Sequence, residues 1–263
     1  MISVYLADRQ VLFREGIHFT LSGEEDIEVV GETTSNEEAL SFIESNSPQV
    51  AILNINLGQP SGIELARRIK QDLLSAVSLI LVMDNEDEEQ LLAAMKGGAS
   101  ACITKNVDPD TLLHIIREVA KGNKPIAKAL LQPGLASHVL EEFEAFSLLS
   151  QQVNYMLARI TPGEADILRR ISEGSTGEQM TAALSIDEEA LNLHLSAILS
   201  KLAANDHSRN LIEAVQRNLS PVAKRPSDKP GVEYITKEEF TAFRDSLRER
   251  LGSLFNATLS QQS

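Results

Sequence analysis

Residues 50–57 read VAILNINL, and this stretch decides how the first half of the chain is interpreted. The stretch is mostly apolar and lies between two turn-like segments, NSPQ and GQPSG, so the pattern predicts a buried strand. The carboxyl end of this strand delivers Asn54 into a loop. In an open α/β sheet that edge usually carries the chemistry, and here the sequence places a neutral amide there.

Strand-like and helical patterns alternate on both sides of this stretch. The predicted strands are residues 2–6, 27–31, 50–55, 78–83 and 101–104. The predicted helices lie near residues 12–21, 36–45, 62–73, 88–96 and 109–120. Several have start signals, such as Ser35 with Glu38 three residues later, and Asp108 before Pro109. Five such units predict an α/β fold with a doubly wound, five-stranded parallel sheet and helices on both faces.

Composition bounds the class of protein. The chain has 263 residues, 43% apolar and 24% charged, which is typical of a soluble protein with two domains. The net charge is -14, and most of it lies in residues 1–120, which carry 20 acidic and 8 basic side chains. No apolar run has membrane-spanning length and no secretory signal is visible, so we expect a cytoplasmic protein without membrane contact. The single cysteine, Cys102, lies in an apolar run and is predicted to be a core residue.

Residues 135–160 have the pattern of one long helix. Its apolar side chains recur at alternating spacings of three and four, and they are Val139, Phe143, Phe146, Val153, Leu157 and Ile160. Two interpretations stay open, a coiled-coil seam between two copies of the chain and a helix packed against its own domain. A second predicted helix at residues 236–254 has an apolar stripe of Phe240, Phe243, Leu247 and Leu251. The near-heptad spacing of the first helix favours a homodimer, with the second helix beside the seam.

Two parts of the chain resemble one known family. The segments ADRQVLFREGI (residues 7–17), PQVAILNINLGQPSGIEL (48–65) and DEEQLLAAMKGGASACITK (87–105) resemble a response-regulator receiver domain of the NarL/LuxR type. Residues 160–209, which begin ITPGEADILRR, resemble that family's helix-turn-helix domain. Four short helical segments are predicted within residues 161–217. The resemblance divides the chain into a receiver-like domain (1–121), a linker with the long helix (122–160), a helix-turn-helix domain (161–217), and a linker with the C-terminal helix (218–263).

The resemblance implies a phosphorylation site at the carboxyl edge of the sheet. Family receivers accept a phosphoryl group on an aspartate after the third strand and hold Mg²⁺ with two acidic residues after the first. A hydroxyl after the fourth strand and a lysine after the fifth contact the phosphoryl oxygens. The matching residues of this sequence are Asn54, Asp8, Arg9, Met83 and Lys105.

Three of these positions depart from the family's pattern. An amide is not a nucleophile like a carboxylate, so Asn54 cannot form an acyl phosphate. Arg9 places a positive charge where the metal would lie, and we expect it to pair with Asp8. Met83 offers no hydrogen-bond donor to a phosphoryl oxygen. Together the departures predict a pseudo-receiver, in which Asn54 is a structural polar link.

The helix-turn-helix half differs from the family's pattern in its charged residues. The recognition helix is predicted at residues 188–202, and its outer face carries Glu189, Asn192, Leu193, Ser196, Ala197 and Ser200. Family lysines are replaced by Asn192 and by Glu178 in the preceding helix, and His194 matches a family histidine. The side chains still able to meet DNA are Arg169, Arg170, Lys201 and Arg209. Because lysine and arginine near the phosphates supply non-specific affinity, duplex DNA binding is expected to be weak, and Leu193 indicates a protein contact.

Two functions remain open on this sequence. The first is a transcription regulator that acts without aspartate phosphorylation, as a homodimer on duplex DNA. The second is an interaction module that has lost DNA binding and contacts a protein partner through its altered recognition helix. No motif supports an enzyme, and no cluster of residues predicts a metal or a cofactor.

Overall fold

The computed structural model describes residues 1–71, 76–147 and 157–219. Its first part, called the sheet region here (residues 1–121), contains five parallel strands in the order β2-β1-β3-β4-β5. They are β1 (Ile2–Ala7), β2 (Ile27–Thr33), β3 (Val50–Asn54), β4 (Ser78–Met83) and β5 (Ala101–Thr104). The helices between and after them are α1 (Val11–Ser22), α2 (Asn36–Asn46), α3 (Gly62–Gln71), α4 (Glu88–Lys96) and α5 (Pro109–Ala120). The predicted doubly wound fold is confirmed.

The central strand β3 is buried over its whole length, as the apolar run predicted. It pairs with β1 on one side and β4 on the other, with Leu53 opposite Ala7 and Leu81. One face of the sheet packs against α1 and α5, and the other packs against α2, α3 and α4. Because β1 and β3 are parallel neighbours, the residues that follow them meet at the same edge.

Local signals fix where the helices begin. The Ser35 side chain accepts a hydrogen bond from the backbone of Glu38, and Asp108 accepts one from Thr111, as the sequence predicted. Gly62, the first residue of α3, lies so close to the strand end that a β-carbon there would be 2.2 Å from the Asn54 carbonyl oxygen. A glycine is therefore required where α3 starts against the end of β3.

The rest of the described chain, called the helical region here (residues 125–219), is entirely helical in its regular structure. A 3₁₀ helix (Pro125–Leu131) is followed by α6 (Pro133–Ser147), α7 (Pro162–Ser172), α8 (Gly177–Leu184) and α9 (Glu188–Leu219). Buried side chains of α6, α7 and α9 continue the same core that lies beneath α3 and α4. Residues Met1–Asn218 therefore form one compact unit.

Two predicted helix bounds are wrong. Residues 157–160 are not helical, so the predicted long helix does not extend to Ile160. The last predicted short helices are one continuous helix, α9, and no glycine or proline interrupts residues 188–219. The expected helix at residues 236–254, with Phe240, Phe243, Leu247 and Leu251, lies outside the described residues, as do Val153 and the side chain of Phe146.

The apolar stripe of α6 is covered within the chain. Val139 is fully buried, Phe143 is 6% exposed, and Leu157 after the helix is 7% exposed. Val139 and Phe143 belong to the same core as Ile167, Leu168 and Ile171 of α7. For these residues the packed-helix interpretation is right, and the interpretation as a seam between two copies is wrong. No helix of the described residues is both long enough and apolar enough to cross a membrane.

We predict that Phe143→Glu destabilises the folded chain by at least about 3 kcal/mol, because it buries an unpaired charge between α6 and α7. Thermal denaturation at two protein concentrations about tenfold apart measures the effect. The control is Ala145→Glu, which adds the same charge at an exposed position of α6. The drop in melting temperature should be the same at both concentrations. A drop seen mainly in the dilute sample would show that Phe143 is a contact between copies.

Candidate functional site

The site at the sheet edge is centred on a hydrogen bond between the ends of β1 and β3. Asn54 Nδ2 donates to Asp8 Oδ2 at 2.7 Å, and the two residues are only 3% and 4% exposed. The other carboxylate oxygen, Asp8 Oδ1, accepts the backbone N–H of Gln10 at 2.7 Å. Asn54 Oδ1 accepts the backbone N–H of Asn56 at 2.8 Å. Both oxygens of Asp8 and both polar atoms of the Asn54 amide thus have partners.

The amide at position 54 is the group that this contact requires. A carboxylate there would face Asp8 at hydrogen-bonding distance in a buried place, and two like charges so close need a shared proton or a cation. The amide of Asn54 donates a hydrogen bond to the Asp8 carboxylate, so the pair needs neither a shared proton nor a cation. The interpretation of Asn54 as a structural polar link agrees with this geometry.

Arg9 does not pair with Asp8, so that expectation is wrong. Its side chain is exposed, and its Nη1 atom lies 3.9 Å from the place that a β-carbon on Gly58 would occupy. The arginine that approaches Asp8 is Arg14 of α1, whose Nη1 donates to the Asp8 carbonyl oxygen at 2.9 Å. Its Nε also donates to Glu32 at 3.1 Å. Sequence reasoning missed Arg14, because the turn of a helix, and not the spacing along the chain, directs it to this edge.

Lys105 and Met83 complete the edge in different ways. Met83 is buried in the core at the end of β4 and supplies no polar atom to the site. The Lys105 ammonium group pairs with Asp84, and this hydrogen bond holds the pKa of the Asp84 carboxyl below its usual range. Asn56 Nδ2 donates to the other Asp84 oxygen at 2.7 Å. Lys105 therefore contacts Asp84, a residue that the sequence did not single out.

These contacts form one hydrogen-bonded chain along the edge, which runs through Asp8, Asn54, Asn56, Asp84 and Lys105. Within the described part of the chain, no three His, Cys, Asp or Glu side chains are grouped so that they could hold a metal ion. Burial raises the pKa of the Cys102 thiol to about 12, so this cysteine is not a thiolate nucleophile at neutral pH.

The predicted recognition helix is the first half of α9, and its outer face carries both exposed and half-buried side chains. Leu191, Leu195, Ile198 and Leu202 are buried, as the stripe predicted. Glu189 and His194 are exposed, and Leu193 is 67% exposed. Asn192 and Ser196 are half-buried.

Two of the basic side chains proposed for DNA contact are used inside the chain. Lys201 Nζ bonds both carboxylate oxygens of Glu164, at 2.8 and 2.6 Å, and Glu164 is buried. Arg209 lies 3.8 Å from Glu142 of α6 and 3.7 Å from the buried Asp206. Both side chains are paired with carboxylates of the chain, which reduces the charge that they can offer to an outside phosphate.

The other two basic side chains lie on α7. Arg170 pairs with Asp166 one turn earlier, at 2.7 Å, and Arg169 is exposed. Of the four candidate cations, only Arg169 is therefore seen without an ion pair among the described residues.

Polar contacts also join the sheet region to the helical region. Arg67 of α3 donates to Asp206 of α9 at 2.9 Å, and Asp206 is 2% exposed. Lys96 of α4 pairs with Glu142 of α6. Between the two regions, Lys124 precedes the 3₁₀ helix, and its ammonium group donates to the Ser200 hydroxyl of α9 at 2.8 Å. The two regions are thus linked by a shared core and by charged contacts at its rim.

Comparison with known proteins agrees with this architecture. Residues 4–117 match the model of the response regulator receiver domain. The transcriptional regulatory protein YhcZ of Bacillus subtilis, itself uncharacterised, is 27% identical over 219 residues, which cover 83% of this chain and 98% of that protein. The nitrate/nitrite response regulator protein NarL of Escherichia coli is 28% identical over 200 residues, which cover 76% of this chain and 88% of that protein.

A solved two-component response regulator of the LuxR family, from an Aurantimonas species, is 26% identical, with a TM-score of 0.44, over 46% of this chain and 86% of that one. The match to the domain model covers residues 4–117, which include all five strands of the sheet except the first two residues of β1. The similarity to YhcZ and NarL continues past residue 117 into the helical region.

We predict that Asn54→Asp lowers the free energy of unfolding by about 3 kcal/mol, because it replaces the donor to Asp8 with a second buried carboxylate. Added Mg²⁺ should restore part of the loss, since a cation bound only by the folded state stabilises it. Denaturant titration with and without Mg²⁺ measures both effects.

The matched control is Asn56→Asp, which makes the same change at an exposed residue that faces Asp84. Solvent screens the repulsion there, so its cost should be well under half as large. If Asn54→Asp unfolds like the wild type and ignores Mg²⁺, the hydrogen bond to Asp8 is not what holds this edge.

Proposed function

We propose that this protein is a transcriptional response regulator of the NarL/DegU type, whose receiver domain works without aspartate phosphorylation. The observation that carries the proposal is the buried hydrogen bond from the Asn54 amide to Asp8. The similarity of the chain to YhcZ and NarL, which extends over both regions, also supports the proposal.

The chemistry of the edge supports the absence of phosphoryl transfer. An acyl phosphate forms on a carboxylate, and the residue at the end of β3 is an amide. The residues present do not fit Mg²⁺ either, because this ion needs several hard oxygen ligands and both oxygens of Asp8 already accept hydrogen bonds. Arg9 at the second acidic position adds a cation, and the buried Met83 leaves no hydroxyl to follow a phosphoryl group.

A receiver of this kind has a single resting arrangement at its edge. Lys105, which the family uses to contact the phosphoryl group, is paired with Asp84. The output of the protein then depends on its amount and on its binding partners. This is the sense in which the proposed regulator acts without phosphorylation.

The proposal includes a homodimer, and the surface of that dimer has to lie outside the α6 stripe. The described surface that supports it is α1, where Leu12 and Phe19 are 89% and 85% exposed on one side of the helix. Two large apolar side chains exposed on the same side of one helix offer apolar area that a second copy would remove from water.

We predict that acetyl phosphate with Mg²⁺ adds no phosphoryl group to the wild-type chain, as measured by intact mass. The control is the triple variant Asn54→Asp, Arg9→Asp and Met83→Thr, which restores the nucleophile, the second acidic residue and the hydroxyl together. This variant should gain one adduct that hydroxylamine removes. A hydroxylamine-sensitive adduct on the wild type would overturn the proposal.

A second candidate function is regulation through protein contact in place of DNA contact. The observation that favours it is the internal use of Lys201 and Arg209. In addition, residues 173–200 contain five acidic side chains and no lysine or arginine. The attraction to phosphates that gives regulators their non-specific DNA affinity is therefore weak on this surface.

The second candidate function predicts that the wild type does not retain random-sequence duplex DNA on a filter at about 50 mM salt. The double variant Glu178→Lys and Asn192→Lys restores lysines at two positions where the family has them, and it should gain binding that salt weakens. Retention of DNA by the wild type, with a steep loss as salt is raised, would favour DNA binding as the function and remove the second candidate.

A further inference from the structure

The outer face of α9 has a shape suited to close helix packing. It is defined here as Glu189, Leu193, Ser196, Ala197 and Ser200, which lie on the side opposite the buried stripe of the helix. Leu193 projects from this face, and the residues that follow it on the face, Ser196, Ala197 and Ser200, have small side chains. Small side chains let a second helix approach closely, and an exposed leucine then gains an apolar partner.

The electrostatics of this face select a positively charged partner. Asp187, Glu188 and Glu189 are exposed at its amino-terminal end. The nearest lysine or arginine along the chain on the amino-terminal side is Arg170, and on the carboxyl-terminal side it is Lys201, which is held by Glu164. In space, Lys128 approaches Glu188, so Asp187 and Glu189 are the carboxylates that keep this end of the face negative. Their charge repels a polyanion and attracts a lysine- or arginine-rich protein segment.

An independent observation shows that lysine side chains do bind at this face. Lys124, just before the 3₁₀ helix, donates to the Ser200 hydroxyl at 2.8 Å, and Lys128 within that helix lies 3.4 Å from Glu188, next to the face. Both side chains of the second pair remain more than half exposed, so this contact is easily exchanged for another. The chain thus places two cations along one flank of the face and leaves Glu189 and Leu193 open.

We infer that the outer face of α9 is a docking surface for a basic amphipathic helix of another protein. Lysine or arginine side chains of that helix pair with Glu188 and Glu189, and an apolar side chain between them packs against Leu193. The inference rests on the second candidate function and names the class of partner that this function requires.

The test measures binding of a fluorescein-labelled synthetic helix, built of leucine and lysine in an amphipathic pattern, to the full-length protein by anisotropy at about 0.15 M salt. Leu193→Ser should weaken binding about tenfold, and Glu188→Lys with Glu189→Lys should abolish it. The matched control is Glu25→Lys with Glu28→Lys, which changes the net charge equally at exposed residues of the sheet region. This control should bind like the wild type, and circular dichroism checks that every variant is folded.

Two results would overturn the inference. If the Glu25 and Glu28 variant loses binding as completely as the Glu188 and Glu189 variant, the peptide responds to net charge and not to this face. If random-sequence duplex DNA binds the wild type and displaces the peptide, the face is a DNA-binding surface. DNA that binds without displacing the peptide would remove the second candidate function but support the docking surface. A wild type that binds neither peptide nor DNA would remove the docking surface and leave that function standing.

Discussion

Two parallel strands that end side by side bring Asp8 and Asn54 within hydrogen-bonding distance, and the polar arrangement of the whole sheet edge follows from that contact. A single buried carboxylate is costly unless donors surround it, and here an amide and a backbone N–H supply them. The Asn54 oxygen then fixes the backbone at Asn56, whose side chain reaches Asp84. Asp84 in turn holds Lys105, so the five residues are ordered by one chain of hydrogen bonds.

The sequence predicts most of the fold because its signals are local. The apolar run of β3, the alternation of strands and helices, and the caps at Ser35 and Asp108 all depend on residues within a few positions of each other. The buried side of α9 follows from the helical spacing of its leucines. Position along a parallel sheet also predicts that Asp8 and Asn54 meet, since the order of the strands decides which ends are neighbours.

The errors concern what each side chain contacts at long range. Arg9 follows Asp8 in the sequence but is exposed, while Arg14, one turn into α1, is carried back to the strand end. Lys201 was expected to face DNA, yet its helix position directs it to the buried Glu164 of α7. Phe143 could belong to a seam or to a core, and only the position of α7 decides between them. Periodicity predicts which face of a helix is apolar, but it contains no information about which element covers that face.

Polar contacts and a shared apolar core join the sheet region to α9, the helix that carries the proposed docking surface. Asp206 is buried and bonds Arg67 of the sheet region, and removing one partner of such a pair leaves an uncompensated charge. The shared apolar core adds to this, so separating the regions exposes both apolar side chains and buried charges. In the proposed mechanism without phosphorylation, no phosphoryl group supplies energy to offset that cost. The face that remains open in the joined arrangement is the one carrying Glu189 and Leu193, and recognition of a basic helix there requires no separation of the two regions.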